Sequence, residues 1–301
     1  TRFQKYSKKI FFMRLFNFIA SSFQNHRIVY VNSKELLIEC LSDVKKNNSI
    51  AVDTEFIWKN TYHPILSLIQ IATKSKIYLL DFFFLKNDLD IISEILEDDN
   101  IVKVFHSARG DLSILSNSCG FNISSVFDTQ LAESLFSKNK NLQIAYKSIV
   151  YKYFMKKLLK TETNSNWEQR PLSFDQILYA ADDVRYLLRI MTIQQQKINK
   201  LNLKDIFKKR MQEEICYGRK KFKDARLERL QRKNKNVSDF EKKIFTWREE
   251  EASLRNIPPN KIFKDKNLKK LKEIVKNNNF RECDWIIQDP PSRKKFLEDF
   301  S

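Results

Sequence analysis

Residues 50–56 read IAVDTEF, an apolar, strand-like run that carries two acids. Successive side chains of a β-strand point to opposite faces, so Asp53 and Glu55 project to the same side, about 6–7 Å apart along the backbone. A buried pair of like charges is costly unless a cation neutralises it, and carboxylate oxygens are good ligands for divalent metals. The stretch therefore predicts a strand with a metal-binding face. Alternatively, the two acids are structural or face solvent.

The segments around this strand predict a mixed α/β sheet. Strand patterns occur at 28–31 (IVYV), 65–73 (ILSLIQIAT), 76–82 (KIYLLDF) and 101–106 (IVKVFH). Helix patterns occur at 33–46 (SKELLIECLSDVKK), 91–96 (IISEIL) and 109–120, where Gly120 ends the helix. Strands that first form a hairpin meander and then alternate with helices imply a mixed sheet.

From residue 129 onwards the pattern is almost wholly helical, and Ser173 is placed to cap a long helix. We expect four regions along the chain: a basic N-terminal extension at 1–25, an α/β domain at 26–200, a helical basic connector at 201–240 and a small all-α domain at 241–301.

The net charge of +18 is distributed unevenly, with +5 in residues 1–25, +2 in 26–200 and +11 in 201–301. This distribution predicts a polyanionic partner that is bound by the basic flanks, with the chemistry in the nearly neutral middle. A general drift in composition towards Lys and Asn is the alternative explanation.

The cysteines and the hydropathy pattern exclude several classes of protein. The four cysteines are far apart and form no CxxC pair, so neither a zinc site nor a disulfide framework is expected. No apolar run is long enough for a transmembrane helix. Residues 10–23 predict either a disordered extension or a targeting segment. We expect a cytoplasmic protein without an obligate protein partner.

Two further acids follow structural junctions. Asp111 opens the helix after the strand 101–106, where its carboxylate could turn back over the strand end or, alternatively, stabilise the helix N-terminus. Tyr179 and Asp183 are four residues apart on a helical pattern and therefore share a face. Alternatively, Tyr179 belongs to the core and Asp183 is solvated.

Four fragments in order resemble one family: DTE (53–55), HSARGD (106–111), FDTQ (127–130) and YAADD (179–183). They are similar to the motifs of the DEDD superfamily of 3′-5′ exonucleases, in the subclass with tyrosine in the third motif, and most of all to bacterial ribonuclease D. The resemblance covers roughly residues 28–195. It implies a ribonuclease H-like mixed sheet with flanking helices, followed by a small all-α C-terminal domain.

The resemblance also implies the chemistry. Asp53, Glu55, Asp111 and Asp183 would hold two Mg²⁺ or Mn²⁺ ions, and Tyr179 would orient the attacking water. The expected activity is that of a 3′-5′ exoribonuclease acting on RNA, by resemblance on tRNA precursors. A DNA 3′-5′ exonuclease and a non-catalytic nucleic-acid-binding protein are the alternatives.

Six residues are expected to contact the substrate: Thr54, Phe56, His106, Lys160, Trp167 and Arg170. The first two flank the acids of the strand, and the last three lie in a polar segment where a cation would favour phosphate. His106 and Trp167 could instead be held in the core. Asp128 is expected to support the site without binding metal.

The segment from residue 241, which includes FTWREEEASLRNIPPNKIFKDKNLKKL, resembles the start of the helical domain that follows the catalytic module in ribonuclease D and in some helicases. Bacterial members often have a longer C-terminal region than this chain. The domain is therefore expected to be incomplete, and both an RNA-binding and a packing role remain open.

Overall fold

The computed structural model of the protein describes residues 26–137, 143–158, 162 and 165–301. The N-terminal extension predicted for residues 1–25 lies outside the described residues. The chain divides into two units. The first ends at Gly218 and leaves out two short segments, Phe56–Ile65 and Ser113–Gly120, which belong to the second unit together with Arg219–Ser301.

A six-stranded sheet forms the centre of the first unit, with the order β1-β4-β3-β2-β5-β6. The strands are β1 (Arg27–Val31), β2 (Ser49–Ile57), β3 (Ile65–Ala72), β4 (Lys76–Asp81), β5 (Val102–Phe105) and β6 (Val126–Asp128). β4 is parallel to β1 and antiparallel to β3, whereas β5 is parallel to both β2 and β6. The predicted mixed sheet is therefore confirmed. The three-residue strand β6 was not predicted.

The IAVDTEF stretch forms β2, which lies between β3 and β5. Ile50, Ala51 and Val52 are fully buried, and Ala51 is in register with Val104 of β5. A central strand is covered on both faces, which explains why its first half is continuously apolar. The two acids follow where this buried run ends.

The helices of the first unit are α1 (Lys34–Val44), α2 (Phe82–Leu85), α3 (Leu89–Leu96), α4 (Arg109–Cys119), α5 (Thr129–Leu135), α6 (Tyr146–Phe154), α7 (Phe174–Arg185), α8 (Leu187–Lys200) and α9 (Lys204–Gly218), and α4 continues into the second unit. Ser33 caps α1 through its side chain. Gly120 follows the last residue of α4 with φ +78°, the left-handed conformation that suits glycine at a helix end.

The second unit is built from helices around its own core. They are α10 (Phe222–Lys233), α11 (Asp239–Leu254), α12 (Pro259–Ile262), α13 (Leu268–Lys276), α14 (Cys283–Ile286) and α15 (Pro290–Phe300), with 3₁₀ turns at Asp265–Asn267 and Phe280–Glu282. Ile244, Phe245, Leu271 and Phe296 are at most 2% exposed and belong to one apolar cluster. An all-α C-terminal region is thus present.

The boundaries of the units differ from the predicted ones. The expected connector at 201–240 is divided, because α9 belongs to the first unit and α10 to the second. Burial accounts for the division: Met211 and Ile215 of α9 are buried, and Phe222 of α10 joins the apolar cluster of the second unit. Both halves of the segment therefore have an apolar face, which its basic composition conceals.

The helices and the cysteines of the described part of the chain have two plain features. None of its helices combines the length and the hydropathy that crossing a bilayer requires. All four cysteines are free, and Cys40 and Cys283 are buried.

Candidate active site

Asp53 and Glu55 extend from the same side of β2, and Asp183 of α7 reaches the same point. One carboxylate oxygen from each of the three residues lies within 4.8 Å of the others. The three side chains are half-buried. The alternation of β2 places Asp53 and Glu55 on one side of the strand, as the sequence predicts, and the fold brings Asp183 of α7 to them.

Asp111, in the first turn of α4, lies near this cluster but is not one of the three residues whose oxygens meet within 4.8 Å. Its side chain is 8% exposed, and the hydroxyl of Thr54 donates a hydrogen bond of 2.6 Å to its Oδ1. Thr54 points away from the face of β2 that carries its two acidic neighbours, and it is 6% exposed. The hydroxyl therefore fixes one oxygen of Asp111, while the carboxylate stays close enough to Asp53 and Glu55 to raise the pKa of both.

Asp128 supports the turn that leads to Asp111. Ser107, between β5 and α4, has φ +65°, which is rare for a residue other than glycine. The backbone N–H groups of Ser107 and Ala108 donate to the Asp128 carboxylate at 3.0 and 2.9 Å, and those of Gln130 and Leu131 donate to the same side chain at 2.7 and 3.2 Å. In all four hydrogen bonds the Asp128 carboxylate accepts from backbone N–H groups and so holds the chain in place, which is the supporting role expected of this residue.

The helix that carries Tyr179 and Asp183 is positioned at its N-terminus. Ser173 and Gln176 form a capping box, and the Gln176 amide also donates to the hydroxyl of Ser165 at 2.8 Å. The ring of Tyr179 lies 6.1 Å from that of Trp167, centroid to centroid. A hydrogen bond and a ring contact therefore hold the loop before α7 against the helix that carries Asp183.

The electrostatics of the cluster are compatible with cation binding. Burial raises the pKa of Asp53 well above its ordinary value, and the charges of Asp111, Asp183 and Glu55 raise it further. Burial also raises the pKa of Glu55, and the charges of Asp183 and Asp111 raise it further. The pKa of Asp111 rises to about 7 because of burial, although the bond from Thr54 opposes the rise. These acids repel one another, and a divalent cation with its preference for oxygen ligands relieves the repulsion.

Arg170, expected to bind phosphate, is instead used within the protein. Its guanidinium donates to both oxygens of the fully buried Asp81, to the Ser67 hydroxyl at 3.0 Å and to the Trp167 carbonyl at 2.8 Å. Asp81 also accepts from the Tyr30 hydroxyl. Arg170 therefore anchors the loop before α7. Asp81 was not singled out from the sequence, although an acid that ends the apolar strand KIYLLD was its signal.

The other expected substrate contacts fall into three groups. His106 and Trp167 are held inside: the His106 ring lies 2.9 Å from both Thr129 Oγ1 and the Ile144 carbonyl oxygen, and Trp167 is 3% exposed. Burial also lowers the pKa of His106. Phe56 is 36% exposed and keeps a free ring surface. Lys160 lies outside the described residues.

Comparison with known proteins agrees with this geometry. The sequence matches the 3′-5′ exonuclease family over residues 28–199. Ribonuclease D of Desulfotalea psychrophila is 32% identical over 243 residues, which make up 78% of this chain and 64% of the relative. Ribonuclease D of Nitrobacter hamburgensis is 30% identical over 72% of this chain and 57% of the relative. The chain thus spans less than two thirds of the length of these relatives.

Solved structures show the same fold. Ribonuclease D of Escherichia coli superimposes with a TM-score of 0.71 at 23% identity, over 81% of this chain and 65% of that one. The catalytic core of RRP6 from Trypanosoma brucei superimposes with a TM-score of 0.62 at 23% identity, over 81% of this chain and 69% of that one. The resemblance inferred from four short motifs is confirmed, and the chain belongs to the 3′-5′ exonuclease family.

Proposed function

We propose that the protein is a 3′-5′ exoribonuclease that releases nucleoside 5′-monophosphates by two-metal-ion hydrolysis and trims the 3′ ends of tRNA precursors in the cytoplasm. The observation that carries the proposal is the meeting of carboxylate oxygens from Asp53, Glu55 and Asp183 within 4.8 Å, with Asp111 close enough to raise the pKa of Asp53 and of Glu55. Acids this close are expected where the chemistry needs cations.

The donor set suits two Mg²⁺ or Mn²⁺ ions, since carboxylate oxygens are the ligands that both prefer. Asp53, Glu55, Asp111 and Asp183 would hold them. Bound divalent ions supply an activated water and stabilise the charge that develops on phosphate during in-line displacement. The Thr54 hydroxyl donates to Oδ1 of Asp111, so Oδ2 is the oxygen proposed as the metal ligand.

Tyr179 is proposed to orient the attacking water through its hydroxyl. It precedes Asp183 by one helical turn, which places both side chains on the same face of α7. The ring of Tyr179 lies near that of Trp167. The carbonyl of Trp167 in turn accepts a hydrogen bond from Arg170. A phenol held in this way can accept or donate a hydrogen bond at a fixed point without changing its own charge.

Support for RNA as the substrate comes from the relatives, which are named ribonuclease D, and from a structural neighbour, ribonuclease D of Trypanosoma brucei, which was solved in complex with the RNA U12. The excess of positive charge suits any polynucleotide. The exposed ring of Phe56, adjacent in sequence to Glu55, could stack on the terminal base, and Lys160 is retained as a candidate phosphate contact.

The test is digestion of a 5′-labelled tRNA-like RNA with a short 3′ trailer, beside a DNA of the same sequence. With Mg²⁺ or Mn²⁺ we expect a ladder of products that shorten singly from the 3′ end. The ladder should disappear with EDTA and in Asp53→Asn, and it should be weak on DNA.

Two results would overturn the proposal. Equal cleavage of DNA would contradict the RNA assignment and favour a DNA exonuclease. Binding of RNA without any cleavage under either metal would contradict the enzymatic assignment. The variant Glu133→Gln serves as the matched control, because Glu133 is also a buried acid but is bonded to Lys152, Tyr153 and Gln194.

A further inference from the structure

A basic cavity of about 530 Å³ lies within the second unit, between α10, α11 and the residues that join α12 to α13. Two acids, Glu249 and Asp265, and six cations line it; the cations are Arg226, Arg229, Lys233, Arg248, Lys264 and Lys266. Four positive charges in the lining therefore have no acid to balance them. A concave surface with this excess attracts an anion more strongly than a flat one does.

The buried part of the lining is Arg248, which is 3% exposed. It donates to the Phe263 carbonyl and to Glu249 at 2.9 Å each and to Asp265 at 2.8 Å, and its guanidinium lies 4.7 Å from the ring centroid of Phe245. Its Nε finds no acceptor among the residues that the structure describes. The guanidinium is thus held in place with one donor left over.

The rim of the cavity carries cations that protein acids leave unpaired. Arg226, Arg229 and Lys233 follow one another at helical spacing on α10 and so share a face. Arg226 bonds Glu249 at 2.9 Å, whereas Arg229 and Lys233 are exposed and have no acidic partner in the described ranges. The rim can therefore receive an anionic group at little cost in broken ion pairs.

We propose that this cavity binds the phosphate of a nucleotide, through Arg229 and Lys233 at the rim and Arg248 below. Guanidinium and ammonium groups are the side chains that bind phosphate in proteins, and the planar fork of arginine matches its geometry. Leu230 and Pro259 add an apolar wall against which a sugar or base can lie. The choice of a nucleotide rests on the proposed function. The phosphate could belong to an RNA strand or to a free nucleoside monophosphate.

The test compares two double variants of the full chain, each with Asp53→Asn to prevent cleavage. Arg229→Gln with Lys233→Gln changes the cavity. Lys269→Gln with Lys276→Gln removes the same charge from exposed positions of α13 that do not line it. All four positions are exposed, so both variants should fold, and melting temperatures check this.

The first probe is a fluorescent 12-nucleotide RNA, with binding followed by anisotropy over a series of NaCl concentrations. Loss of two phosphate contacts predicts about a tenfold weaker affinity near physiological salt, and a slope of log K against log[salt] that is shallower by about 1.4. The control variant should stay within about twofold of its parent and keep its slope.

The second probe is 5′-AMP, measured by calorimetry on the same proteins. If AMP binding is lost in the cavity variant while RNA binding is unchanged, the phosphate belongs to a free nucleotide. If the cavity and control variants behave alike towards both probes, or if neither probe binds, the proposal is overturned. Cleavage is measured separately on the chain with Asp53 intact, so failure of the exonuclease proposal is not mistaken for failure of this one.

Discussion

The acids of the β2 site in the first unit and Glu249 in the second unit have opposite surroundings. In the second unit Glu249 is fully buried and bonds two arginines, Arg226 and Arg248, at 2.9 Å each. On β2, burial and neighbouring acids, Asp111 foremost, raise the pKa of Asp53. An acid bonded to cations contributes to the folded structure, whereas acids that face acids oppose it. The contrast separates the acids that maintain the fold from those kept for chemistry.

The largest expected effect concerns the acids that face each other. Asp53→Asn should lower the rate of RNA hydrolysis by at least about 10³-fold, because it removes one of the proposed ligands for metal-ion catalysis. Single-turnover assays under Mg²⁺ measure the loss. Glu133→Gln, which changes an acid whose pKa is lowered because hydrogen bonds from Lys152, Tyr153 and Gln194 outweigh its burial, should keep the rate within a few fold. Equal losses of hydrolysis rate in the two variants would contradict the distinction between acids that face acids and acids that are bonded to cations.

The second prediction concerns the paired acids. Glu249→Gln leaves Arg226 and Arg248 without their shared counter-charge, and breaking a buried pair on one side costs about 3–5 kcal/mol. Urea unfolding followed by circular dichroism measures the change. The exposed pair of Asp239 and Lys242 provides the control, since Asp239→Asn should change the stability little. A loss below about 1 kcal/mol in Glu249→Gln would show that its pairing does not stabilise the fold.

Metal should reverse the stability order of Asp53 variants. In EDTA, Asp53→Asn is expected to melt above the wild type because it removes one of the repelling charges. At a hundred times the dissociation constant, Mn²⁺ should raise the stability of the wild type by about 2–3 kcal/mol for each ion bound, and it should raise the stability of the variant less. Thermal scans with and without the ion measure both differences. A wild type that is the more stable protein in EDTA would contradict the idea of uncompensated charge.

The smallest effect concerns a buried cation. Lys103 of β5 is fully buried, donates to the Asp98 carbonyl at 2.6 Å, and burial lowers its pKa to about 8 from 10.5. The unfolded chain then holds this proton more tightly than the folded one, so stability rises with pH between 8 and 10.5. The rise should be about 1–3 kcal/mol smaller in Lys103→Met. Parallel stability curves for the two proteins would be the contrary result.

Local patterns were enough to predict most of the sheet and the acids of the site. Asp53 and Glu55 follow from the alternation of one strand, and Tyr179 and Asp183 from one turn of a helix, so neither pair depends on distant contacts. Asp111 follows from the junction between a strand and a helix. That these elements converge on one point was supplied by the family resemblance.

What the sequence concealed depends on contacts between distant residues. Arg170 lies in a polar segment, which favoured a phosphate contact, but its partner is Asp81, 89 positions earlier in the chain. The segments Phe56–Ile65 and Ser113–Gly120 belong to the second unit although neither has a composition that marks it. The strand β6 was not predicted because three residues are too few to show the alternation that identifies a strand.

Calorimetric titration of Mn²⁺ into the metal-free protein shows directly whether the acids of β2, α4 and α7 form a cation site. We expect two ions per chain for the wild type and for Glu133→Gln, with loss of at least one ion in Asp53→Asn and in Asp183→Asn. Absence of binding in the wild type, or equal binding in all four proteins, would contradict this expectation.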